Sequence, residues 1–521
     1  MKKNFTLLLS TLFILNISFA QQRYIDEVFT SSDTTNDVLY GVNFGVLSGQ
    51  LIPTGYVVTD SLGNPIYQEP ALEMDVYEPS GDSISERPLI IHMHTGTFLP
   101  IIHNGNPTGM RQDYATAQMC EGYAKRGFVV ANIDYRLGWN PFLATQEERA
   151  ASLMTAVYRA MQDCKAAVRY FKMSADAMGN PYGIDTTKIV LSGQGSGGWI
   201  ALAYATIDSL AEIQLPKFLL IDSVTQIPYP AVDTAIMGDW DGFGGNPAVN
   251  MENHVGYSSD INMVVSMGGG IGDLSWLDAG DVPMCAVHCP TDPVASYYTG
   301  DVSVAQIGVV TTDISGSYDI MHKADSLGNN DVLLNASYND VYTTAANNAT
   351  YGRDNVFAYN TGNPYEGSPW DYWQYPVLSA IAPYIGATQG MVDTAHANGL
   401  LTNPDMSATK ADAYIDSTLG YFCPRIVNGL GLPGNTVSIQ TNSIDANVSL
   451  YPNPAKNIVT INTDKNILSI EIYHINGSLI LRKEKINNKQ FILNKLNLSS
   501  GLYIVDVQLE EGVITRKLII E

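Results

Sequence analysis

Residues 191–199 read Leu-Ser-Gly-Gln-Gly-Ser-Gly-Gly-Trp, and this stretch decides the fold. The apolar residues 189–191 at its start predict a buried strand, and residues 199–205 at its end predict a helix. Four glycines lie between these two elements, where a strand and a helix that pack closely leave no room for side chains. The stretch therefore predicts a tight strand–turn–helix connection.

The chain on both sides of this turn alternates strands with helices. Strands are predicted at 71–78, 88–93, 128–133, 262–267 and 283–288, and helices near 112–125 and over 147–172. This order predicts an α/β fold with a mainly parallel sheet and helices on both faces. In such sheets the ligand site lies at the carboxyl ends of the strands. Residues 206–260 interrupt the alternation with prolines and a Gly-rich turn, and we interpret them as a cap over that site.

The N-terminus has the pattern of a secretory signal. Lys2 and Lys3 precede a short apolar stretch over residues 5–17, and residues 18–20 have the small side chains of a cleavage site. The apolar run is shorter than a bilayer-spanning helix requires, and no later stretch is long and apolar enough to cross a membrane. We therefore predict a signal peptide over residues 1–20.

The charge of the chain is concentrated in its body. The formal net charge is −24, and residues 21–446 carry 17 Lys/Arg against 45 Asp/Glu, whereas residues 447–521 carry nine against seven. A body this acidic does not bind nucleic acid through phosphate contacts. Its acidity suits solubility outside the cell.

The composition changes near residue 447. Short alternating strands follow, Asn476-Gly477 has the sequence of a tight hairpin, and the chain ends on a basic and then an apolar stretch. This pattern predicts a small all-β sandwich domain over residues 447–521. Residues 431–446, which are rich in Gly, Asn, Ser and Thr, are predicted to be a linker that follows a large domain over residues 21–430.

Several segments, taken in order over about residues 65–300, resemble the α/β-hydrolase superfamily near its secreted esterase/lipase branch. Residues 94–98 resemble the His-Gly-Gly-Gly-Phe oxyanion loop, residues 191–199 the nucleophile elbow, and residues 288–294 the segment that carries the acid of the triad. The resemblance implies an α/β-hydrolase fold and a serine-esterase site. Residues 447–521 resemble the C-terminal sorting domain of type IX secretion, which implies recognition by that export machinery.

The elbow departs from the family pattern at its central position. An elbow Gly-x-Ser-x-Gly needs small residues on both sides of the serine, and Gly193 and Gly197 fill those positions when Gly195 stands in the nucleophile slot. The alternative register makes Ser196 the nucleophile and forces Gln194 into a slot where backbones touch. The steric argument favours the first register, which keeps the turn and removes the attacking oxygen.

The oxyanion loop departs as well. Thr95 and Thr97 replace two glycines of the family pattern, on either side of Gly96. The hole uses backbone N–H groups, so threonine removes no donor. A β-branched residue resists positive φ, and we expect Thr95 and Thr97 to restrict the loop and distort the hole.

The remaining triad positions are only partly filled. Asp292 stands where the resemblance places the triad aspartate, although a turn-stabilising Asp has the same pattern. The histidine should follow the next strand, predicted near residues 330–337, but no histidine occurs between His322 and His396. His396 would reach the site only through a long returning loop.

The five cysteines are Cys120, Cys164, Cys285, Cys289 and Cys423. Export permits disulfides, and the predicted helices leave a bridge between Cys120 and Cys164 open. No set of His, Asp, Glu or Cys has metal-ligand spacing, and the sequence indicates no cofactor.

Three hypotheses about function remain open. In the first, the domain lacks ordinary serine-esterase activity and uses its pocket to bind a small ester or carbohydrate-like ligand. In the second, it is an active esterase with Ser196 as a displaced nucleophile, Asp292 as the acid and His396 as the base. In the third, it is a surface interaction protein with no small ligand. All three predict export through the inner and outer membranes to the cell surface or beyond.

Overall fold

The computed structural model describes residues 22–45, 71–101, 103–247, 249–304, 307–433, 448–474, 479–494, 498–509 and 512–520. The signal predicted at 1–20, nearly all of the linker at 431–446 and the hairpin turn at Asn476-Gly477 lie outside these residues. The chain divides into two compact units after Gly434. No helix among the described residues is long and apolar enough to cross a membrane.

The first unit is built on an eight-stranded sheet with the order β1-β2-β4-β3-β5-β8-β10-β13. Its pairs are parallel from β4 onwards, and β2 pairs antiparallel with both β1 and β4. The strands of this unit are β1 Ser32–Val42, β2 Ala71–Pro79, β3 Arg87–Met93, β4 Val129–Ile133, β5 Ile184–Gln194, β6 Leu219–Ile221, β7 Pro228–Pro230, β8 Met263–Met267, β9 Gly270–Ile271, β10 Met284–His288, β11 Gly300–Val304, β12 Gly308–Gly316 and β13 Val356–Ala358.

Helices cover both faces of the sheet, as the sequence predicts. They are α1 Tyr114–Lys125, α2 Gln146–Ala177, α3 Ser196–Thr206, α4 Leu210–Ile213, α5 Thr234–Met237, α6 Ser317–Leu327, α7 Asp331–Leu334, α8 Val341–Asn348, α9 Tyr375–Ile381, α10 Gln389–Thr402 and α11 Ala408–Gly429. Alternate residues of β3 enter two separate cores: Leu89 and Ile91 pack with α2 and α3, and Ile90 packs with α1 and α11. This alternation is what a strand buried on both faces produces.

The strand predicted at 330–337 is wrong. Residues 331–334 form the short helix α7, and the last strand of the sheet is the three-residue β13. The β11–β12 hairpin and helices α6 to α8 are inserted between β10 and β13, so the chain reaches the sheet edge later than the alternation suggests. The loop where the resemblance places the triad histidine is therefore the one after Ala358.

The five cysteines are free thiols and all are buried. Cys120, on α1, belongs to the core on one face of the sheet, and Cys164, on α2, belongs to the core on the other face. The sheet lies between them, so the bridge left open by the sequence does not form.

The C-terminal unit is all β. Its strands are β14 Val448–Tyr451, β15 Ile458–His474, β16 Leu479–Asn494, β17 Gly501–Leu509 and β18 Gly512–Ile520. All described pairs are antiparallel, and register shifts bend the long β15–β16 ribbon into a small sandwich-like domain. Inward-facing residues such as Ile461, Ile472 and Val505 form a core within this unit.

Candidate active-site pocket

A cavity of about 360 Å³ opens at the carboxyl ends of the parallel strands. Its walls include residues that directly follow four of them, namely Thr95, Gly195, Gly268 and Asp292 after β3, β5, β8 and β10. This is the edge at which an α/β sheet binds its ligands. Asp292 and Asp371 are the charged residues of the lining, which contains no Lys, Arg or His among the described residues.

The predicted cap supplies little of this cavity. Within residues 206–260, Phe218 is the described residue that lines it. Most of the outer wall instead comes from the segment 293–314 and from residues 367–373 and 398–403. These segments follow β10 and β13, where no cap is predicted from the sequence.

The turn between β5 and α3 is sharply strained at Gly195. This residue has φ 54° and ψ −117°, and its N–H donates to the Met267 carbonyl 2.8 Å away. Glycine adopts this conformation without the penalty that a side chain brings. Ser196 is the first residue of α3, one position after the strained residue.

Gly193 and Gly197 are the points where β5, α3 and β3 touch. A Cβ at Gly193 would lie 2.2 Å from the backbone of Gly197, and a Cβ at Gly197 would lie 2.1 Å from the Met93 carbonyl oxygen. Neither position tolerates a side chain. The small flanking residues that an elbow requires are therefore Gly193 and Gly197, and Gly195 lies midway between them.

The space beside Gly195 is filled by the neighbouring loop. A Cβ built on Gly195 would lie 2.3 Å from Thr95 Oγ1 and 3.2 Å from Thr95 Cβ. Real Cβ atoms do not approach other heavy atoms this closely. The Thr95 hydroxyl thus occupies the volume into which an elbow side chain would project.

The oxyanion loop keeps positive backbone angles despite its threonines. Gly96 has φ 129° and Thr97 has φ 53°. The Thr97 carbonyl accepts the Trp139 indole N–H at 2.8 Å, and the Thr97 hydroxyl donates to the Gly96 carbonyl at 2.7 Å. These bonds hold Thr97 in a conformation that β-branched residues resist, so the expected restriction is present as local strain.

The Ser196 hydroxyl is paired with a tyrosine. Ser196 Oγ and Tyr135 Oη lie 2.9 Å apart, and Tyr135 Oη donates to the His94 carbonyl, also at 2.9 Å. Both side chains are buried. No imidazole contacts Ser196 among the described residues.

Asp292 lies on the cavity wall without a histidine in front of it. Its Oδ1 accepts the N–H groups of Val294 and Ala295, at 2.7 and 3.1 Å. His288 lies behind, with Nε2 3.6 Å from Asp292 Oδ2, and is bonded to Ser317 and the Ala295 carbonyl. Burial raises the pKa of Asp292 and lowers that of His288.

His396 lies on α10 behind the cavity wall. Its Nδ1 accepts the indole N–H of Trp373 at 3.0 Å, and its ring packs on Tyr375. None of the eight histidines of the chain, all of them described, lines the cavity. The structure therefore brings Asp292 and Ser196 to one cavity and leaves His396 outside it.

Asp371 is a cavity residue that the sequence analysis missed. It follows β13, accepts from Gln194 Nε2 at 2.5 Å through Oδ1 and from the Thr108 hydroxyl at 3.4 Å through Oδ2. Burial, with a further contribution from Asp113, raises the pKa of Asp371 from 3.8 to about 7. The signal was a carboxylate in the loop after the last strand, which could be found only with that strand placed at β13.

Four of the six tryptophans line the cavity: Trp139, Trp199, Trp276 and Trp373. The indole N–H groups of Trp139, Trp276 and Trp373 donate to acceptors of the protein itself. These three therefore offer ring carbon rather than hydrogen-bond donors to a ligand. The pocket is predominantly apolar, and its polar features are two carboxyl groups together with hydroxyl and amide side chains that include Thr95 and Ser196.

Comparison with known proteins assigns both units. Residues 74–299 match the family model described as BD-FAE, and residues 449–521 match the secretion system C-terminal sorting domain. A comparison with curated proteins finds no match.

Among solved structures, the chain resembles Thermogutta terrifontis esterase 2. The native form is 15% identical with a TM-score of 0.33, over 65% of this chain and 91% of the esterase. The propionate-bound form is 15% identical with a TM-score of 0.33, over 63% and 89% of the two chains. The paraoxon-phosphorylated form is 20% identical with a TM-score of 0.27, over 44% and 69%. By the two family matches, the chain contains an esterase-like α/β-hydrolase domain, matched over residues 74–299, followed by a secretion system C-terminal sorting domain over residues 449–521.

Proposed function

We propose that this protein is an exported α/β-hydrolase-fold protein that binds a small ligand in its pocket and lacks ordinary serine-esterase turnover. The observation that carries the proposal is Gly195, the strained residue of the elbow turn, which has no side chain. In an active elbow, the residue with this strained backbone bears the nucleophile.

The size of the expected loss follows from the mechanism. Removing the nucleophile of a working triad lowers kcat by about a millionfold, and oxyanion and binding effects leave roughly 10³–10⁴-fold catalysis over water. The absence of an imidazole from the described cavity lining removes the usual base as well. The histidine beside Asp292, His288, lies outside the described cavity lining.

The ligand that fits the pocket best is small and largely apolar, such as an ester or a carbohydrate-like molecule with a hydrophobic face. Indole rings provide stacking surface, and backbone N–H groups at the start of α3 provide donors for a carbonyl oxygen. The described lining contains the carboxyl groups of Asp292 and Asp371 and no Lys, Arg or His, so it offers no cationic side chain to a ligand that carries a carboxylate.

The sorting domain implies secretion or export to the cell surface. We propose that the route is type IX secretion, with passage through both membranes. In this proposal the C-terminal unit contacts the export machinery and the hydrolase domain acts outside the cell.

The test is hydrolysis of short p-nitrophenyl esters by the purified full-length protein, together with labelling by a fluorophosphonate probe. We expect turnover no higher than about 10⁴-fold above the uncatalysed rate and no labelled residue. A matched Ser196→Ala variant should behave like the parent in both assays. Efficient turnover, or labelling at Ser196 that this variant abolishes, would instead support an active esterase with a displaced nucleophile.

Ligand binding distinguishes the proposed pocket function from the hypothesis of a surface interaction protein. Esters and sugars that occupy the pocket should raise the midpoint of thermal unfolding in proportion to the logarithm of their concentration above Kd. No shift with any member of such a panel would favour a surface interaction protein without a small ligand.

A further inference from the structure

Thr95 fills the space beside Gly195 that a side chain at position 195 would take. The elbow lacks a side chain, and the volume that this side chain would take contains Thr95 Oγ1, 2.3 Å from the position of the missing Cβ. A side chain at position 195 therefore requires the Thr95 hydroxyl to move from its present position. The hydroxyl that the turn after β5 does not supply is thus supplied by the loop after β3.

The Thr95 hydroxyl is available to a ligand. Thr95 lines the cavity and is partly exposed, and its Oγ1 makes no hydrogen bond to another described residue. The adjacent Ser196 begins α3, and the first N–H groups of a helix have no acceptor within the helix. The Thr95 hydroxyl and the first residue of α3 therefore both border the cavity.

We infer that Thr95 is the ligand-contacting hydroxyl of this site and that it holds a carbonyl oxygen by a hydrogen bond without forming a covalent bond. The inference rests on the proposed function and specifies how that pocket recognises its ligand. Among the described residues, no hydrogen bond joins Thr95 Oγ1 to either carboxyl group of the cavity lining. Asp371 is bonded to Gln194 and Thr108, and Asp292 is bonded to backbone N–H groups.

The first test needs no ligand. It is a double-mutant cycle of Gly195→Ser and Thr95→Gly in the full-length protein, followed by thermal unfolding. Gly195→Ser alone should lower the unfolding midpoint by roughly 2–10 °C, because the new Cβ overlaps the threonine hydroxyl and a side chain at φ 54° strains the backbone. In the Thr95→Gly background the same change should lower the midpoint by less, because only the backbone strain remains. If Gly195→Ser lowers the unfolding midpoint equally in both backgrounds, residues 95 and 195 do not compete for the same volume, and the inference is overturned.

The second test measures binding of N-(4-nitrophenyl)acetamide, a neutral carbonyl probe, by quenching of tryptophan fluorescence. Thr95→Val keeps the shape and removes the hydroxyl, and it should raise Kd about five- to tenfold. Thr95→Ser should stay within about twofold of the parent, as should Thr186→Val, a matched change at a partly buried threonine outside the lining. Thr95→Val that binds as tightly as the parent would overturn the inference and leave the proposed function standing.

Two further outcomes distinguish the inference about Thr95 from the proposed function on which it rests. Fluorophosphonate labelling at Thr95 would make this residue a nucleophile and overturn the non-covalent role. If the parent protein binds neither the acetamide nor any ester of the panel, the proposed pocket function is contradicted, and the inferred ligand contact of Thr95 is contradicted with it. This holds whatever the double-mutant cycle shows about the packing of residues 95 and 195.

Discussion

The carboxyl group of Asp371, beside the elbow, has an unusually high pKa. Burial raises its pKa from 3.8 to about 7 because water no longer solvates the charged form, and Asp113 adds a like charge nearby. The folded protein therefore keeps this proton between about pH 4 and 7, whereas the unfolded chain releases it. Stability is lost as the pH rises through that window and stays lower above it.

Replacing Asp371 by Asn should remove this loss. An amide can still accept from Gln194, and it needs no proton to remain neutral. We expect Asp371→Asn to match the parent near pH 4 and to exceed its unfolding free energy by about 1–3 kcal/mol at pH 8, measured by urea denaturation at both pH values.

Asp354→Asn serves as the matched control, since Asp354 is exposed. It should change the unfolding free energy equally little at the two pH values. If Asp371→Asn were less stable than the parent at pH 8, the carboxylate would be contributing more through its hydrogen bonds than its desolvation costs.

At the scale of elements, β3, β5 and α3 meet without side chains between them. Gly193 and Gly197 allow the helix backbone to lie directly on the two strands, which fixes the direction in which α3 leaves the sheet. That direction aims the start of α3 at the cavity. The geometry of the pocket thus depends on glycine at positions 193 and 197, where even the methyl group of alanine would not fit.

Gly197→Ala should be severely destabilising. Its Cβ would lie 2.1 Å from the Met93 carbonyl oxygen, and backbone on both sides leaves no cheap relaxation. We expect a loss of about 3 kcal/mol or more in unfolding free energy, or failure to fold.

The same substitution in another helix gives the control. Gly390, near the start of α10, has no other atom closer than 4.0 Å to its missing Cβ. Gly390→Ala should stabilise the protein by about 0.5–1 kcal/mol through backbone entropy and helix propensity. Similar effects of the two variants would contradict the packing described for β3, β5 and α3.

At the scale of the whole molecule, the two units have separate cores and opposite charge balance. The body packs around its sheet in two apolar clusters, and the C-terminal strands enclose a third. Residues 21–446 carry 17 Lys/Arg against 45 Asp/Glu, and residues 447–521 carry nine against seven. Each unit therefore contains the buried surface that its own stability requires.

Removing residues 447–521 should leave the hydrolase domain folded. We expect the thermal midpoint and near-ultraviolet circular dichroism of the truncated protein to match the corresponding transition of the full chain within about 2 °C, because no core residue of the body is lost. Export from the producing cell should cease, since the sorting domain is absent. Loss of cooperative unfolding on truncation would show that the body depends on its C-terminal partner.

Much of the body fold could be predicted because its signals are local. The strands 88–93 and 128–133 and the helix 147–172 are long, periodic segments, and the structure places them as β3, β4 and α2 within a few residues. The three residues of β13 are too few to show a period, and the insertion before them shifted the predicted strand to 330–337. As a result, the sequence does not predict that the loop containing Asp371 lines the pocket.

The sequence by itself determined the α/β order of elements, the all-β tail and the glycine at the centre of the elbow, since each depends on neighbouring residues and on backbone conformation. Only the tertiary structure decided which side chains share the cavity. Thr95 and Gly195 are one hundred positions apart, and their contact depends on how β3 and β5 lie side by side. His396 bonds to the Trp373 indole and does not line the cavity that Asp371 lines. Distances across a sheet are set by packing, which no local pattern in the chain records.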